Sequence, residues 1–319
     1  MVRVFVSDGM GMLEGLEPRV GERSRGDVEF AWAVVDDEDA LVSAAGDADV
    51  LVVGPDAPVT RAVLATVGPR VVVRAGVGVD NVDLDAAEEL GVVVTNTPSY
   101  CREEVGEHAL SLTLAAARRL PAYDRSTRAG EWDRGAAAAP RRLASSTVGF
   151  VGFGAIARSV ASAFVALFEA AVAYDPYVDA ALAAEHGVSL AGFEEMCERA
   201  DALVVFAPLT DETRGLVDAD ALATLPDDAV VVNVGRGAIV DDAALAAALD
   251  DGPLAAAALD VLPTEPPVDS PLVGRDDVLV TPHAAWYSTE AASDLLETVA
   301  STVAAVVDDD PIPERVRVA

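Results

Sequence analysis

Lysine is absent from this chain of 319 residues: all 22 basic residues are arginine, set against 54 aspartates and glutamates. The net charge of −32 and the sequence pI near 4.1 make nucleic acid and anionic membranes unfavourable partners, because like charges repel. Cysteine is scarce. Cys101 and Cys197 stand far apart, with no CxxC or Cys/His spacing. That argues against a disulfide framework, a zinc site or an iron–sulfur cluster, so no metal is expected, and it points to a reducing, cytoplasmic setting. Long apolar runs are missing too. None approaches the roughly 18 residues of a membrane span, so the protein is read as soluble. The stretch from Met1 to Val6 reads as a first strand and not as a signal peptide.

What is present fits two domains sharing a cleft. A chain of this length buries a core large enough to need neither disulfides nor a structural metal. An acidic coat without lysine, rich in alanine and valine, suits a protein working in molar salt, where a Debye length of about 3 Å screens self-repulsion. The composition is therefore read as a halophile's. A GC-rich genome also favours arginine over lysine and alanine over larger residues, but does not by itself account for the net charge.

Short β-branched runs alternate with alanine-rich segments of helical period, the pattern of parallel sheets covered by helices. Expected strands in a first series are Val2–Ser7, Glu29–Val34, Val50–Val53, Val71–Arg74 and Val92–Thr95. A second series is Thr147–Val151, Ala171–Tyr174, Ala202–Phe206, Val230–Asn233, Ala256–Asp260 and Val278–Thr281. A long helix from about Arg102 to Leu120, ended by Pro121, is expected between the series, and another over Thr289–Val307 closes the chain. Ala136–Ala139 lies in an Arg- and Gly-rich stretch read as a connector.

The strongest local motif is Gly152-x-Gly154-x-x-Ala157, directly after an apolar strand and directly before an alanine-rich helix. Gly152 permits a tight turn, Gly154 lets backbone approach a pyrophosphate, and Ala157 is small enough for helix to pack on strand. The phosphates are expected on the helix-start N–H groups of Ala155 and Ile156. A glycine-rich turn alone is weak evidence; the strand–turn–helix context strengthens it. The next strand ends in Tyr174-Asp175, eighteen residues beyond Ala157. A carboxylate there accepts from ribose hydroxyls and repels a 2′-phosphate, so NAD is expected over NADP.

Three further segments each end an expected strand: Asn233-Val-Gly-Arg236-Gly237, Asp260-Val-Leu-Pro-Thr-Glu265, and Thr281-Pro-His283-Ala-Ala-Trp286-Tyr287. Singly, each has an ordinary structural explanation. Together they gather at the carboxyl ends of parallel strands, where such sheets bind ligands. Hydride transfer from an alcohol needs a base for the hydroxyl proton, and histidine suits that near neutral pH. A neighbouring carboxylate orients the imidazole. A guanidinium clamps a substrate carboxylate with paired hydrogen bonds.

On these motifs the chain resembles the D-isomer-specific 2-hydroxyacid dehydrogenases over essentially its whole length. The resemblance implies an α/β protein of two doubly wound parallel-sheet domains: a Rossmann NAD domain over 99–286, and a discontinuous, flavodoxin-like substrate domain formed by 1–98 and 287–319. It implies that Arg236 binds substrate, Glu265 orients the histidine, and His283 is the general acid/base. The loop Arg74-Ala-Gly76-Val77-Gly78-Val-Asp-Asn81 is similar to the family's substrate loop, whose backbone holds the substrate carboxylate. Ala207, Pro208 and Thr213 are implied near the cofactor phosphates, Val234 among the cofactor contacts, and Asp260 near the carboxamide. The resemblance also implies two helices joining the domains and a homodimer. His108, in the first joining helix, is read as structural.

Within the family, Thr281 to Ser288, Cys101 to Val105, and Arg74 look most like the C-terminal binding protein subgroup. There the residue matching Trp286 lines the substrate pocket and the one matching Arg74 adds a carboxylate contact; a plain core role for Trp286 is the alternative. The chain departs from the family's pattern at Ala157 and at Ser99, where glycine is usual. The end at Ala319 is expected to leave no regulatory domain of the kind many phosphoglycerate dehydrogenases carry. Two functions stay open: a dehydrogenase of 2-hydroxy acids, D-3-phosphoglycerate among them, and an NAD-sensing regulator.

Overall fold

Twelve strands form two all-parallel sheets in the computed structural model, which describes residues 1–318. In chain order they are β1 Val2–Ser7, β2 Val28–Trp32, β3 Val50–Val53, β4 Val71–Arg74, β5 Val93–Thr95, β6 Thr147–Val151, β7 Ala170–Tyr174, β8 Ser189–Leu190, β9 Ala202–Val205, β10 Ala229–Asn233, β11 Leu254–Leu259 and β12 Val278–Val280. The chain divides into two compact units, one made of 1–100 with 288–319 and the other of 101–287.

The first unit carries the sheet β2-β1-β3-β4-β5, the flavodoxin-like order. Strands β3 and β4 are buried along their whole length, as continuous Val/Leu runs covered on both faces should be. Phe5, Leu51, Val53, Val63, Val72 and Val94 share one core cluster. Strand β2 is an edge, stops at Trp32 and leaves Val34 exposed, two residues short of the expected end.

The second unit carries β12-β11-β10-β9-β6-β7-β8. Its order reverses beside β6, the switch point at which doubly wound sheets bind ligands. Strand β8 was not expected; two residues at a sheet edge carry no readable periodicity. Strand β11, Leu-Ala-Ala-Ala-Ala-Leu, starts earlier than expected and stops before Asp260, and a register shift sits beside Ala229 where it pairs with β10.

The helix after the first crossing of the chain differs from expectation. It spans Arg102–Ala117, and Arg119 adopts a left-handed conformation at φ 58°. A second helix then runs Leu120–Arg128 with Pro121 in its first turn. Proline lacks the N–H that a helix start leaves unpaired anyway, so Pro121 opens a helix and does not end one. The last helix, Thr289–Val307, has the expected bounds, and Ser288 caps it by accepting from Ala291 N–H. Acidic residues serve the same purpose elsewhere: Asp37, Asp83, Asp179, Asp218 and Asp241 each cap a helix start.

Candidate active site

Because all strands of the second unit are parallel, the segments after β6, β7, β9, β10, β11 and β12 emerge at one edge of its sheet. After β6, Gly152 turns at φ 85°, and a Cβ there would lie 2.8 Å from the Ala207 nitrogen. The residue must be glycine on both counts. This close approach brings the turn against the segment that follows β9, where Ala207 is buried and Pro208 exposed. Gly154 begins the Ala155–Leu167 helix without a side-chain cap, and nothing lies within 4 Å of where its Cβ would be. The first-turn N–H groups of Ala155 and Ile156 therefore stand at an open helix start, suited to an anionic group.

Asp175, at the end of β7, accepts from Phe153 N–H at 2.8 Å and from Tyr177 N–H at 2.9 Å. It thus holds the glycine turn as well as presenting a charge beside it. Thr213 closes the loop after β9 by donating to the Pro208 carbonyl at 2.6 Å, and Val234 N–H donates to the Val205 carbonyl at 3.2 Å.

After β10, the Asn233 side chain organises the arginine loop. Its amide donates to the Arg236 carbonyl at 2.9 Å, and its oxygen accepts from Gly235 N–H at 3.0 Å. The guanidinium of Arg236 donates to the Gly235 carbonyl at 2.9 Å. Sequence reasoning gave Asn233 no role, although asparagine two residues before glycine is a recognisable turn former. A Cβ on Gly237 would lie 1.9 Å from the Leu262 carbonyl carbon. The arginine loop therefore packs backbone to backbone on the loop that carries Glu265.

Glu265 and His283 meet directly. The carboxylate accepts from Leu262 N–H at 2.9 Å through Oε1 and contacts His283 Nδ1 at 2.7 Å through Oε2. An ionised carboxylate only accepts, so Nδ1 carries the hydrogen and Nε2 is the nitrogen left for a reacting group. Both side chains are partly exposed, at 25% for His283 and 34% for Glu265, so solvent and a substrate can reach them.

His283 has a left-handed backbone, φ 51°, rare for a non-glycine residue. Asp260 over-determines that turn. Its carbonyl accepts from His283 N–H at 2.8 Å, and its carboxylate accepts from Thr281 Oγ1 at 2.6 Å and from the N–H groups of Ala284 and Ala285 at 2.8 and 2.9 Å. Burial alone would raise the Asp260 pKa, but the contacts from His108, Thr281, Ala285 and Ala284 outweigh it and hold the carboxyl below its ordinary value. Trp286 follows in the same loop, half-buried, with its ring edge-on to Tyr287 at 5.3 Å.

The remaining candidates lie in the first unit. Arg74 is buried at the end of β4; its guanidinium donates to the Ala75 carbonyl at 3.0 Å and reaches Asn81 Oδ1 at 3.5 Å. The Gly76 carbonyl accepts from Thr97 N–H, the Val77 carbonyl accepts from the Asn96 amide, and Gly78 follows in the same partly exposed loop. The loop is thus anchored along its length.

Among the described residues no cluster of three or more metal-ligating side chains occurs, and no helix is long and apolar enough to cross a membrane. Cys101 and Cys197 are buried and not joined in a disulfide, and burial pushes the Cys197 thiol up to about 11.

The family model described as "D-isomer specific 2-hydroxyacid dehydrogenase, NAD binding domain" matches residues 110–285. A D-3-phosphoglycerate dehydrogenase of Mycobacterium tuberculosis is 42% identical over 292 residues, covering 91% of this chain and 55% of that protein. One from Methanocaldococcus jannaschii is 39% identical over 295 residues, with the same coverage of 91% and 55%. The chain spans about half the length of these curated relatives. Among solved structures, the TT0316 protein from Thermus thermophilus matches with a TM-score of 0.84 at 29% identity, over 100% of both chains.

Proposed function

The chain belongs to the D-isomer specific 2-hydroxyacid dehydrogenase family, whose NAD-binding domain it carries within residues 101–287; from that premise we propose that it interconverts a 2-keto acid and a D-2-hydroxy acid. The observation that carries this reading is the 2.7 Å contact of His283 Nδ1 with Glu265, which leaves Nε2 to exchange the hydroxyl proton. The open start of the Ala155–Leu167 helix and the tight turn at Gly152 fit the pyrophosphate of a dinucleotide, and the Asp175 carboxylate fits an unphosphorylated ribose. When bound, NAD(H) exchanges a hydride with C2 of the acid. Glu265 keeps the imidazole oriented, with Nδ1 turned to the carboxylate and Nε2 left to give up the proton that reduction of the ketone consumes. Within the second unit Arg236 offers a guanidinium to a substrate carboxylate; within the first, Arg74 and the backbone of Gly76, Val77 and Gly78 carry the family's substrate-loop pattern. Asp260 retains one acceptor position on Oδ2 beyond the three bonds it accepts, enough for one carboxamide hydrogen.

For the substrate, the relatives at 42% and 39% identity favour D-3-phosphoglycerate. The half-buried Trp286 beside the histidine favours instead a pocket of the C-terminal binding protein kind. NADH oxidation in molar KCl with phosphohydroxypyruvate, hydroxypyruvate, glyoxylate and branched keto acids separates these. Turnover with phosphohydroxypyruvate alone would overturn the second, and tight NADH binding without turnover on any of them would replace the enzyme with an NAD sensor.

The assembly we propose is a homodimer in a reducing compartment. In the second unit Trp132 is 94% and Leu120 53% exposed, which suits a covered surface; a monomeric mass by light scattering would overturn it. The charge of −32 supports a salt-requiring protein. The melting temperature should rise by roughly 10 °C or more between 0.1 M and about 2 M KCl as screening tightens. A flat dependence would sink the halophile reading.

A further inference from the structure

The chain crosses from the first unit to the second after Tyr100 and returns at Ser288. The segments inside the second unit next to these crossings are the Arg102–Ala117 helix and the Thr281–Tyr287 loop. One side chain of the helix touches the loop's anchor. His108, seven residues into the helix and partly buried, places Nε2 3.0 Å from Thr281 Oγ1 and 3.5 Å from Asp260 Oδ1.

Proton counting fixes the direction of the chain. A threonine hydroxyl has one hydrogen, and the 2.6 Å contact commits it to the ionised, 1% exposed Asp260 carboxylate. The hydroxyl oxygen therefore accepts from His108, and Nε2 is the ring nitrogen that carries the hydrogen. The bonds continue from Asp260 to the N–H groups of Ala284 and Ala285, and from His283 N–H to the Asp260 carbonyl. His283 sits inside this net at φ 51°, a strained conformation that persists only where its surroundings enforce it. Removing His108 leaves the Thr281 oxygen without its donor and takes a polar neighbour, 3.5 Å away, from a buried carboxylate.

We propose that His108 is a positioning residue: through Thr281 and Asp260 it fixes the loop that presents His283. The sequence offered His108 as a structural residue; the geometry gives it a specific task. The catalytic part of this proposal rests on the reading of His283 as the acid/base, while the loop-holding part does not.

The test compares His108→Leu, which removes the N–H, with His108→Gln, which offers an amide N–H at similar reach. Hydrogen exchange over residues 281–287 reads the loop directly. It should speed up about tenfold in His108→Leu and stay near wild type in His108→Gln. With the keto acid that wild type turns over, kcat should fall about tenfold in His108→Leu with the NADH Kd unchanged, and His108→Gln should restore it. Unchanged exchange in His108→Leu would overturn the proposal. Faster exchange with unchanged kcat would overturn the link to His283. A wild type without turnover would sink the functional reading alone, and the exchange comparison would still decide whether His108 holds the loop.

Discussion

Nδ1 of His283 lies 2.7 Å from Oε2 of Glu265, and the other oxygen of that carboxylate is held by Leu262 N–H. The pair is fixed from behind, so one ring nitrogen is spoken for and the other is presented. Replacing His283 with glutamine should lower kcat by roughly 10²–10⁴ while leaving NADH affinity intact. Glu265→Gln keeps a hydrogen-bonding side chain but loses the charge-assisted bond that orients the ring, and should cost on the order of 10–100-fold in reduction. Steady-state kinetics beside fluorescence titration of NADH checks both; equal activity in either variant would sink the assignment.

Gly237 links the two loops of the site. A Cβ there meets the backbone of Leu262 and Pro263 at 1.9 and 2.2 Å, and backbone cannot swing aside as a side-chain end can. Gly237→Ala should therefore destabilise the fold by about 1–3 kcal/mol. It should also displace Leu262 N–H from Glu265, so kcat falls more than NADH affinity. Thermal unfolding and kinetics on one preparation test this, and a variant with wild-type kcat would show that the loops are not coupled.

How much of this was legible beforehand depended on the range of the interaction. Buried parallel strands are written as Val-rich runs, so β1, β3, β4 and β6 have the bounds their sequence implies. Glycines needed for a turn or a close approach, such as Gly152, were legible for the same local reason. Pro121 is ambiguous in the sequence because proline both ends and starts helices, and the left-handed Arg119 that decides between the two leaves no local mark. His108 reads only as structural in the sequence because its partners, Thr281 and Asp260, lie 173 and 152 residues away, and no spacing rule reaches that far.

Asp175 has two jobs, and a substitution can separate them. Alanine would remove both the charge and the bonds from Phe153 and Tyr177 that shape the glycine turn. Asparagine drops the charge and keeps one acceptor oxygen, enough for the Phe153 N–H that shapes the turn but not for Tyr177 N–H as well. Asp175→Asn should therefore raise the NADPH-to-NADH ratio of kcat/KM about tenfold, the effect of relieving about 1.4 kcal/mol of repulsion with a 2′-phosphate. Binding of both cofactors should follow the same ratio; an unchanged ratio would mean that some other group excludes the phosphate.

Acid should unfasten the Asp260 net. Its folded-state pKa is depressed, because the contacts from His108, Thr281, Ala285 and Ala284 outweigh the burial that pushes it up. A depressed carboxyl contributes stability that is complete above the unfolded value of about 3.9 and is lost as pH falls through the folded value. Asp277 is depressed in the same direction, chiefly by its hydrogen bond from Arg275, and adds to the loss. The opposing effect is general: acid also neutralises part of a −32 charge and so relieves self-repulsion. Molar KCl suppresses that second effect by screening it, so the melt should be followed there from neutral pH down to about 3. Wild type should lose stability more steeply below pH 4 than Asp260→Asn, which has no proton to take up at that site and begins from a lower stability. Parallel curves for the two proteins would show that the carboxylate is not held in its ionised form by the loop.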